Sequence, residues 1–141
     1  TGNFVAMKYL LDTNICIYVI KRRPIEVLVK FNESAGRLAI SAITLSELLH
    51  GAEKSQQVAK NLKAVEDFCS RLEVLPYADE AAAHYGDIRA DLERKGMPIG
   101  VNDIHIAAQA RASGLILVTN NEREFVRVSG LRVENWLTTM N

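Results

Sequence analysis

Short apolar runs alternate with amphipathic segments along the whole chain. Four of the runs predict β-strands, at Lys8–Asp12, Leu38–Ser41, Glu73–Leu75 and Leu115–Val118. The last is a continuous apolar run, which is typical of a parallel strand covered on both faces. A fifth, shorter strand is predicted near Leu131–Val133.

Between the strands, apolar residues recur at spacings of three and four, which predicts helices. The order strand–helix–strand implies right-handed crossovers and a parallel sheet. The sequence therefore predicts one α/β domain, a central parallel sheet with helices on both faces. The predicted helices follow Asp12, span Ile25 to about Asn32, Thr44 to about Lys54, roughly Val58–Arg71 and Asp79–Lys95, run from Asn102 or Asp103 to Gly114, and cover Glu122–Val126.

Four polar residues fall where this fold would gather them. Asp12 ends the first strand, and Asn121 lies just beyond the strongest one. Asp103 opens a helix after a glycine-containing loop, and Glu47 is predicted in the first turn of another. Because ligands of open α/β sheets bind beyond the carboxyl ends of the strands, we expect these side chains to converge.

Each of these residues also has a purely structural interpretation, about as probable when it is taken alone. Asp12 is a suitable helix cap, although Thr13 or Asn14 could fill that position. Thr44 and Glu47 have the spacing of a capping box. Asp103 or its neighbour Asn102 could cap the helix that follows. Asn121 and Glu124 repeat the box-like spacing.

Three carboxylates in one cleft would repel one another, so their negative charge would have to be compensated. At about 4–5 Å, each pair repels by roughly 3–4 kcal/mol at an effective dielectric near 20. The total approaches the stability of an ordinary domain, so the site would hold protons or a divalent cation. An all-oxygen donor set favours Mg²⁺ or Mn²⁺. Such a cation assists hydrolysis of a phosphodiester, and the sequence shows no nucleophilic Ser, Cys or His.

Composition narrows the class of protein further. The 141 residues suit a single domain, with 48% hydrophobic and 24% charged residues. Seventeen basic and 17 acidic residues cancel, which argues against coating nucleic acid by bulk charge but not against a local basic patch. No apolar run approaches the roughly 20 residues that cross a bilayer.

The ends and the cysteines add three expectations. Thr1–Ala6 are interpreted as a remnant of expression cloning, so that the domain spans 7–141 from Met7. With no signal peptide, we expect a cytoplasmic protein. Cys16 and Cys69 fit no metal or redox spacing, and both are expected to be reduced and buried.

Several motifs together resemble the PIN domain, and in particular the VapC toxins of bacterial toxin–antitoxin pairs. The likeness spans Met7 to Trp136, and its strength lies in the order and spacing of the motifs. They are Leu11-Asp-Thr-Asn14, Ser46-Glu-Leu48, Pro98-Ile-Gly-Val-Asn-Asp103 with Ile106-Ala-Ala108, Val118-Thr-Asn-Asn121 with Glu124-Phe125, and Gly130-Leu-Arg-Val-Glu-Asn-Trp136.

This resemblance implies a Mg²⁺- or Mn²⁺-dependent endoribonuclease. Asp12, Glu47 and Asp103 match the family's acidic metal ligands. Asn121 stands where the wider family often has aspartate, which puts a second tightly held metal in doubt. As a neutral residue, Asn121 would hold a water or orient Asp12. Residues interpreted as supporting the carboxylates are Thr13, Asn14 and Thr119.

The resemblance also implies a substrate and partners. Similar toxins cut transfer RNA at the anticodon stem–loop, often the initiator tRNA. We expect RNA contacts from Lys21, Arg22 and Arg23, and less from Arg89 and Arg123, although helix-end electrostatics explains the basic run equally well. A VapB-type antitoxin would cover the active-site groove, its apolar contacts near Ile17–Ile20 and Leu48–Leu49. We further expect a homodimer, no membrane association, and DNA contact only through the antitoxin.

Two other functions remain as alternatives. A PIN-like domain could have lost catalysis and act as a binding module, with Asn121 as the suspect position. A phosphatase with a nucleophilic aspartate on its first strand needs a second aspartate two residues on, but Asn14 stands there. His50 and His84 have no paired ligands. His105 could face the cleft, although a structural role is about twice as probable.

Overall fold

The computed structural model describes residues 6–137 and shows a five-stranded, all-parallel sheet. Its strand order is β3-β2-β1-β4-β5, so the chain builds outward from β1 in one direction and later returns to β1 to build in the other. The strands are β1 (Tyr9–Leu11), β2 (Leu38–Ser41), β3 (Glu73–Leu75), β4 (Ile116–Val118) and β5 (Val133–Glu134).

Seven helices connect these strands in the described range. The predicted alternation of strands and helices is confirmed, with bounds that coincide or differ by one or two residues. The helices are α1 (Thr13–Lys21), α2 (Ile25–Glu33), α3 (Ala42–Glu53), α4 (Val58–Cys69), α5 (Asp79–Arg94), α6 (Val101–Ala112) and α7 (Glu122–Phe125).

Two apolar cores cover the two faces of the sheet. Successive strand residues point to opposite faces, so Leu11 and Val118 pack against α1–α4 while Leu10 and Leu117 pack against α5–α7. The four strand side chains are essentially inaccessible to solvent. Helices therefore lie on both faces, as the sequence predicts. Trp136 closes the first core with its ring edge on Tyr9, at 5.3 Å between centroids.

Strand order, more than any single helix, positions the functional site. Between β1 and β4 the direction of chain winding reverses, and this switch point opens a crevice at the carboxyl ends of the strands. The register pairs Leu11 with Val118, so the next residues, Asp12 and Thr119, leave the sheet side by side.

Some predictions fall on residues at the chain ends. All of Thr1–Ala6 except Ala6 lies outside the described residues, as do residues 138–141 of the predicted domain. None of the helices in residues 6–137 combines the length and apolarity that crossing a bilayer requires. Cys16 is buried as expected, whereas Cys69 is only partly buried, because it lies at the last turn of α4.

Candidate active site

Asp12 is the best-anchored acid of the cleft. It is the N-cap of α1, and its Oδ1 accepts a hydrogen bond from the Thr13 backbone N–H at 2.7 Å. Its Oδ2 accepts from the Thr119 hydroxyl at 2.8 Å. Neither Thr13 nor Asn14 caps α1, because Thr13 is already helical and only Asp12 keeps extended backbone angles. The capping interpretation of Asp12 is thus right, and the same carboxylate also faces the cleft.

Glu47 is held through its side chain. Its Oε1 accepts a hydrogen bond from the Thr13 hydroxyl at 2.5 Å, and its Oε2 accepts from the Asn102 amide at 3.1 Å. The predicted capping box with Thr44 is wrong. Helix α3 begins earlier, at Ala42, and Ser41 caps it by accepting from the Ile43 N–H. Glu47 therefore lies in the second turn and not in the first.

Asp103 lies in the first turn of α6, and it is the acid with the least support. Neither Asp103 nor Asn102 caps this helix, because Gly100 precedes it and the chain turns helical at Val101. No hydrogen bond contributes to the ionisation of Asp103, unlike that of Asp12. Burial, and then the charges of Asp12, Glu124 and Glu47, raise its pKa to about 6.

Thr119 and Asn121 lie just beyond the end of β4. The Thr119 hydroxyl accepts from the Asn121 backbone N–H at 2.9 Å while it donates to Asp12. Thr119 is fully buried. The predicted Asn121–Glu124 capping box is absent, since the Asn121 side chain makes no capping bond and Glu124 N–H donates to its backbone carbonyl at 3.3 Å.

Together these residues enclose one cavity of about 180 Å³. The structure therefore brings together the four residues that the sequence singles out, although they come from four different elements. Burial chiefly, and the nearby Glu47 charge in part, raise the pKa of Asp12, against the lowering effect of its two hydrogen bonds. The lining residues are Asp12, Thr13, Asn14, Glu47, Asp103 and Asn121.

The chemistry of this donor set fits a hard divalent cation. All the side-chain donors facing the cavity are oxygens or amides, and no group within residues 6–137 donates a hydrogen bond to the Asp103 carboxylate. Among residues 6–137, no group of three or more His, Cys, Asp or Glu side chains is arranged to hold an ion directly. Mg²⁺ commonly binds proteins through one or two carboxylates and keeps several waters, so the cleft suits an ion held partly through water.

Two functional candidates escaped the sequence analysis. By sequence, Asn102 is a possible helix cap and part of the Pro98–Asp103 motif, with no role assigned at the site, yet its amide donates to Glu47. Glu124 is part of a capping box and of a motif, again with no role assigned at the site, yet its charge raises the pKa of Asp103. Membership of these motifs, and for Asn102 its adjacency to Asp103, were the available signals.

The predicted RNA-contacting residues are all exposed, but they do not share one surface. Lys21 borders two depressions: one also lined by Tyr18 and Arg23, the other by Glu47. Arg22 ends α1 in the left-handed conformation at φ 59° and lines a third depression against α4. Tyr18 reaches the end of β4, where its hydroxyl accepts from the Asn120 amide at 2.9 Å.

Of the two interpretations given for His105, the structure supports the structural one. Its ring stacks on Tyr85 with 4.1 Å between centroids, and its Nδ1 lies 2.7 Å from the Tyr77 hydroxyl. Burial, together with the Arg89 charge, lowers its pKa. Residues lining the acidic cavity do not include His105, and Arg89 is engaged with the Tyr85 hydroxyl and Glu93.

Comparisons with known proteins agree with this fold and cleft. Residues 9–131 match the family model of the PIN domain. The solved structure of DNA-bound VapBC from Salmonella typhimurium superposes with a TM-score of 0.89 at 52% identity, covering 93% of this chain and 99% of that one. The chain therefore belongs to the PIN-domain family.

Within that family, the similarity is to VapC proteins. Ribonuclease VapC2 of Haemophilus influenzae is 58% identical over 93% of this chain and 99% of its own length. The tRNA(fMet)-specific endonuclease VapC of Shigella flexneri is 54% identical over 92% and 98%. These relatives place the chain among the VapC toxins of toxin–antitoxin pairs.

Proposed function

We propose that this chain is a Mg²⁺- or Mn²⁺-dependent endoribonuclease toxin that a cognate VapB-type antitoxin neutralises. The observation that carries the proposal is the gathering of Asp12, Glu47 and Asp103 in one cavity at the switch point of the sheet. Asp103 supports it further, because among residues 6–137 no group donates a hydrogen bond to its carboxylate, and burial and the neighbouring acids raise its pKa. Ribonuclease and endonuclease are also the names of the VapC relatives.

In this proposal, Asp12, Glu47 and Asp103 hold the cation, directly or through waters. When bound, the cation supplies positive charge to the scissile phosphate and orients the attacking water. Thr119 and the Thr13 N–H fix both oxygens of Asp12, so that this carboxylate is preorganised before substrate arrives. Asn121 adds a neutral amide to the cavity, suited to a water or a phosphate oxygen.

For the substrate, we propose transfer RNA cut at the anticodon stem–loop, with the initiator tRNA favoured. A relative at 54% identity carries the name tRNA(fMet)-specific endonuclease. Lys21 and Arg23 are the better-placed candidates for phosphate contacts, because they flank Tyr18 near the cleft. Arg22 faces α4 and is the weaker candidate. RNA recognition of this kind combines stacking on aromatic rings with contacts to phosphates.

For the antitoxin, we propose the groove between α1, α3 and α4. It has a volume of about 330 Å³ and runs from apolar walls at Ile17, Ile20 and Leu48 to Lys21 and Glu47 at the acidic end. An arginine or lysine of the antitoxin could there reach the carboxylates and compete with the cation. Solved relatives include VapBC complexes, two of them bound to DNA. We propose that this chain forms a homodimer and meets DNA only through its antitoxin.

Cleavage of a bacterial tRNA pool by antitoxin-free protein tests the activity. We expect cleavage with Mn²⁺, none with a chelator, and loss of cleavage in Asp12→Asn, which keeps a capping oxygen on α1. Asp67→Asn is the matched control, because Asp67 is exposed on α4 and pairs with the exposed Lys63. Activity that survives Asp12→Asn would refute the proposed site.

Two outcomes would separate the alternatives. Wild-type protein that binds tRNA without cutting it, at any Mn²⁺ concentration, would favour the binding module. Sequencing the fragment ends tests the substrate: a single cut in the anticodon stem–loop of the initiator tRNA is expected, and cuts spread over many RNAs would contradict the specificity but not the nuclease.

A further inference from the structure

Glu47 differs from the other acids in being fixed from two separate elements. Thr13, at the start of α1, donates to one carboxylate oxygen, and Asn102, in the first turn of α6, donates to the other. Glu47 itself lies on α3. Three helices that contribute to the cavity are thus joined at one side chain. Without such partners, a long and only partly buried glutamate would sample several rotamers.

Asn102 has no other evident task in the described part of the chain. Its side chain is exposed and is absent from the caps and from the apolar cores. Its one side-chain hydrogen bond is the donation from Nδ2 to Glu47 Oε2 at 3.1 Å. The residue immediately after it is Asp103, so the backbone that presents one acid of the cavity also carries the donor that orients another.

An asparagine suits this position for electrostatic reasons. A lysine or arginine here would pair with Glu47 and neutralise the charge that a cation needs. An amide fixes the carboxylate in place but leaves its negative charge available. Groups that orient metal-binding carboxylates through hydrogen bonds typically change metal affinity or activity about 10–100-fold when they are removed.

We infer that Asn102 is a positioning residue that holds Glu47 in the orientation required for the cation. This inference rests on the proposed metal-dependent nuclease and goes beyond it, since it assigns a role to a residue outside the acidic set. Asn102 touches neither the cation nor the RNA in this role, and it acts only through Glu47.

Mn²⁺ titration of four proteins tests the inference: wild type, Asn102→Ala, Glu47→Ala and the double variant, with free Mn²⁺ measured by electron paramagnetic resonance. We expect Asn102→Ala to weaken Mn²⁺ binding about tenfold. In the Glu47→Ala background the same substitution should change nothing, because its target is gone. Cleavage by Asn102→Ala should recover as Mn²⁺ is raised, since the loss is one of metal affinity.

Asn32→Ala is the matched control, an exposed asparagine on α2 away from the cavity, and it should bind Mn²⁺ as the wild type does. Wild-type affinity in Asn102→Ala, or an equal loss with and without Glu47, would overturn the inference while leaving the nuclease intact. A wild-type protein that neither binds Mn²⁺ nor cuts RNA would instead overturn the proposed function itself.

Discussion

The two ends of helix α6 differ in whether their charged side chains are compensated by neighbouring groups. At its first turn, Asp103 faces other acids, no group in the described part of the chain donates a hydrogen bond to its carboxylate, and its pKa is raised to about 6. At its last turn, Arg111 donates to Asp87 at 2.6 Å, to His84 at 2.8 Å and to the Ser129 carbonyl at 2.9 Å. There the Arg111 hydrogen bond, and then its charge, lower the pKa of Asp87.

This difference distinguishes the Asp103 end of α6, which belongs to the candidate active site, from the Arg111 end, which has a structural role. The Arg111 end satisfies its polar groups with one another and ties α5 and α6 to the loop before β5, so it needs nothing from outside. The Asp103 end leaves charge uncompensated, which is an unfavourable arrangement that persists only because the rest of the fold imposes it. A ligand of opposite charge is what such an end lacks.

Asp103→Asn should have the largest effect on the difference between the two ends of α6. We expect about a hundredfold loss of tRNA cleavage with Mn²⁺, because Asp103 is one of the three carboxylates proposed to hold the cation, and the loss of a group that merely orients such a carboxylate already costs about 10–100-fold. The metal-free protein should unfold at the same temperature or a higher one, since the substitution removes an uncompensated charge. Cleavage assays and thermal unfolding measure the two effects.

Asp87→Asn serves as its counterpart at the other end of α6. It should cut RNA like the wild type, because Asp87 faces Arg111 and not the cavity. Comparable loss of activity in both variants would mean that the two ends do not differ in function.

Arg111→Ala should have the opposite effect to Asp103→Asn: the protein should lose stability and keep its activity. The side chain is only 16% exposed and makes three hydrogen bonds, so its loss should cost about 2 kcal/mol in the free energy of unfolding, measured in urea. Arg94→Ala is the control, an exposed residue 4.0 Å from Asp91, with an expected change under about 0.5 kcal/mol. A shared, small change in both would contradict the structural role of Arg111.

Mn²⁺ should stabilise the folded protein only by binding at the end of α6 that carries Asp103. At ten times the dissociation constant, we expect about 1.4 kcal/mol from mass action. The effect should be larger at pH 7.5 than at pH 5, because the proton that Asp103 holds below about pH 6 competes with the cation. Thermal shifts measure this, and a shift of equal size in Asp103→Asn would locate the cation elsewhere.

The last prediction concerns the pH dependence of the stability of the metal-free protein. Folding raises the pKa of Asp103 from 3.8 to about 6, so between those values the folded chain binds more protons than the unfolded one. The free energy of unfolding should therefore fall as the pH rises from about 4 to about 6. Asp12 adds to the same trend, because its pKa is also raised. Urea midpoints measured across this range should show a flatter slope in Asp103→Asn.

The sequence predicted the fold better than it predicted the local contacts. Every strand was found within a residue or two, because alternation and apolar runs are averaged over whole elements. The starts of two helices, α3 and α6, were predicted wrongly. Thr44, Asn102 and Asp103 were plausible caps by residue type, but Ser41 and Gly100 precede the helices. Several residue types suit an N-cap, and only backbone angles decide which one takes the position.

What the sequence determined by itself was the order of the elements and the positions of Asp12, Glu47, Asp103 and Asn121 along them, since both follow from local periodicity. The tertiary structure alone decided which side chains meet: Asn102 with Glu47, Glu124 near Asp103, His105 with Tyr85 and Tyr77. Hydrogen bonds and charge effects depend on separations of a few ångströms between segments remote in the chain. Those separations are set by strand order and helix packing, which no local pattern specifies.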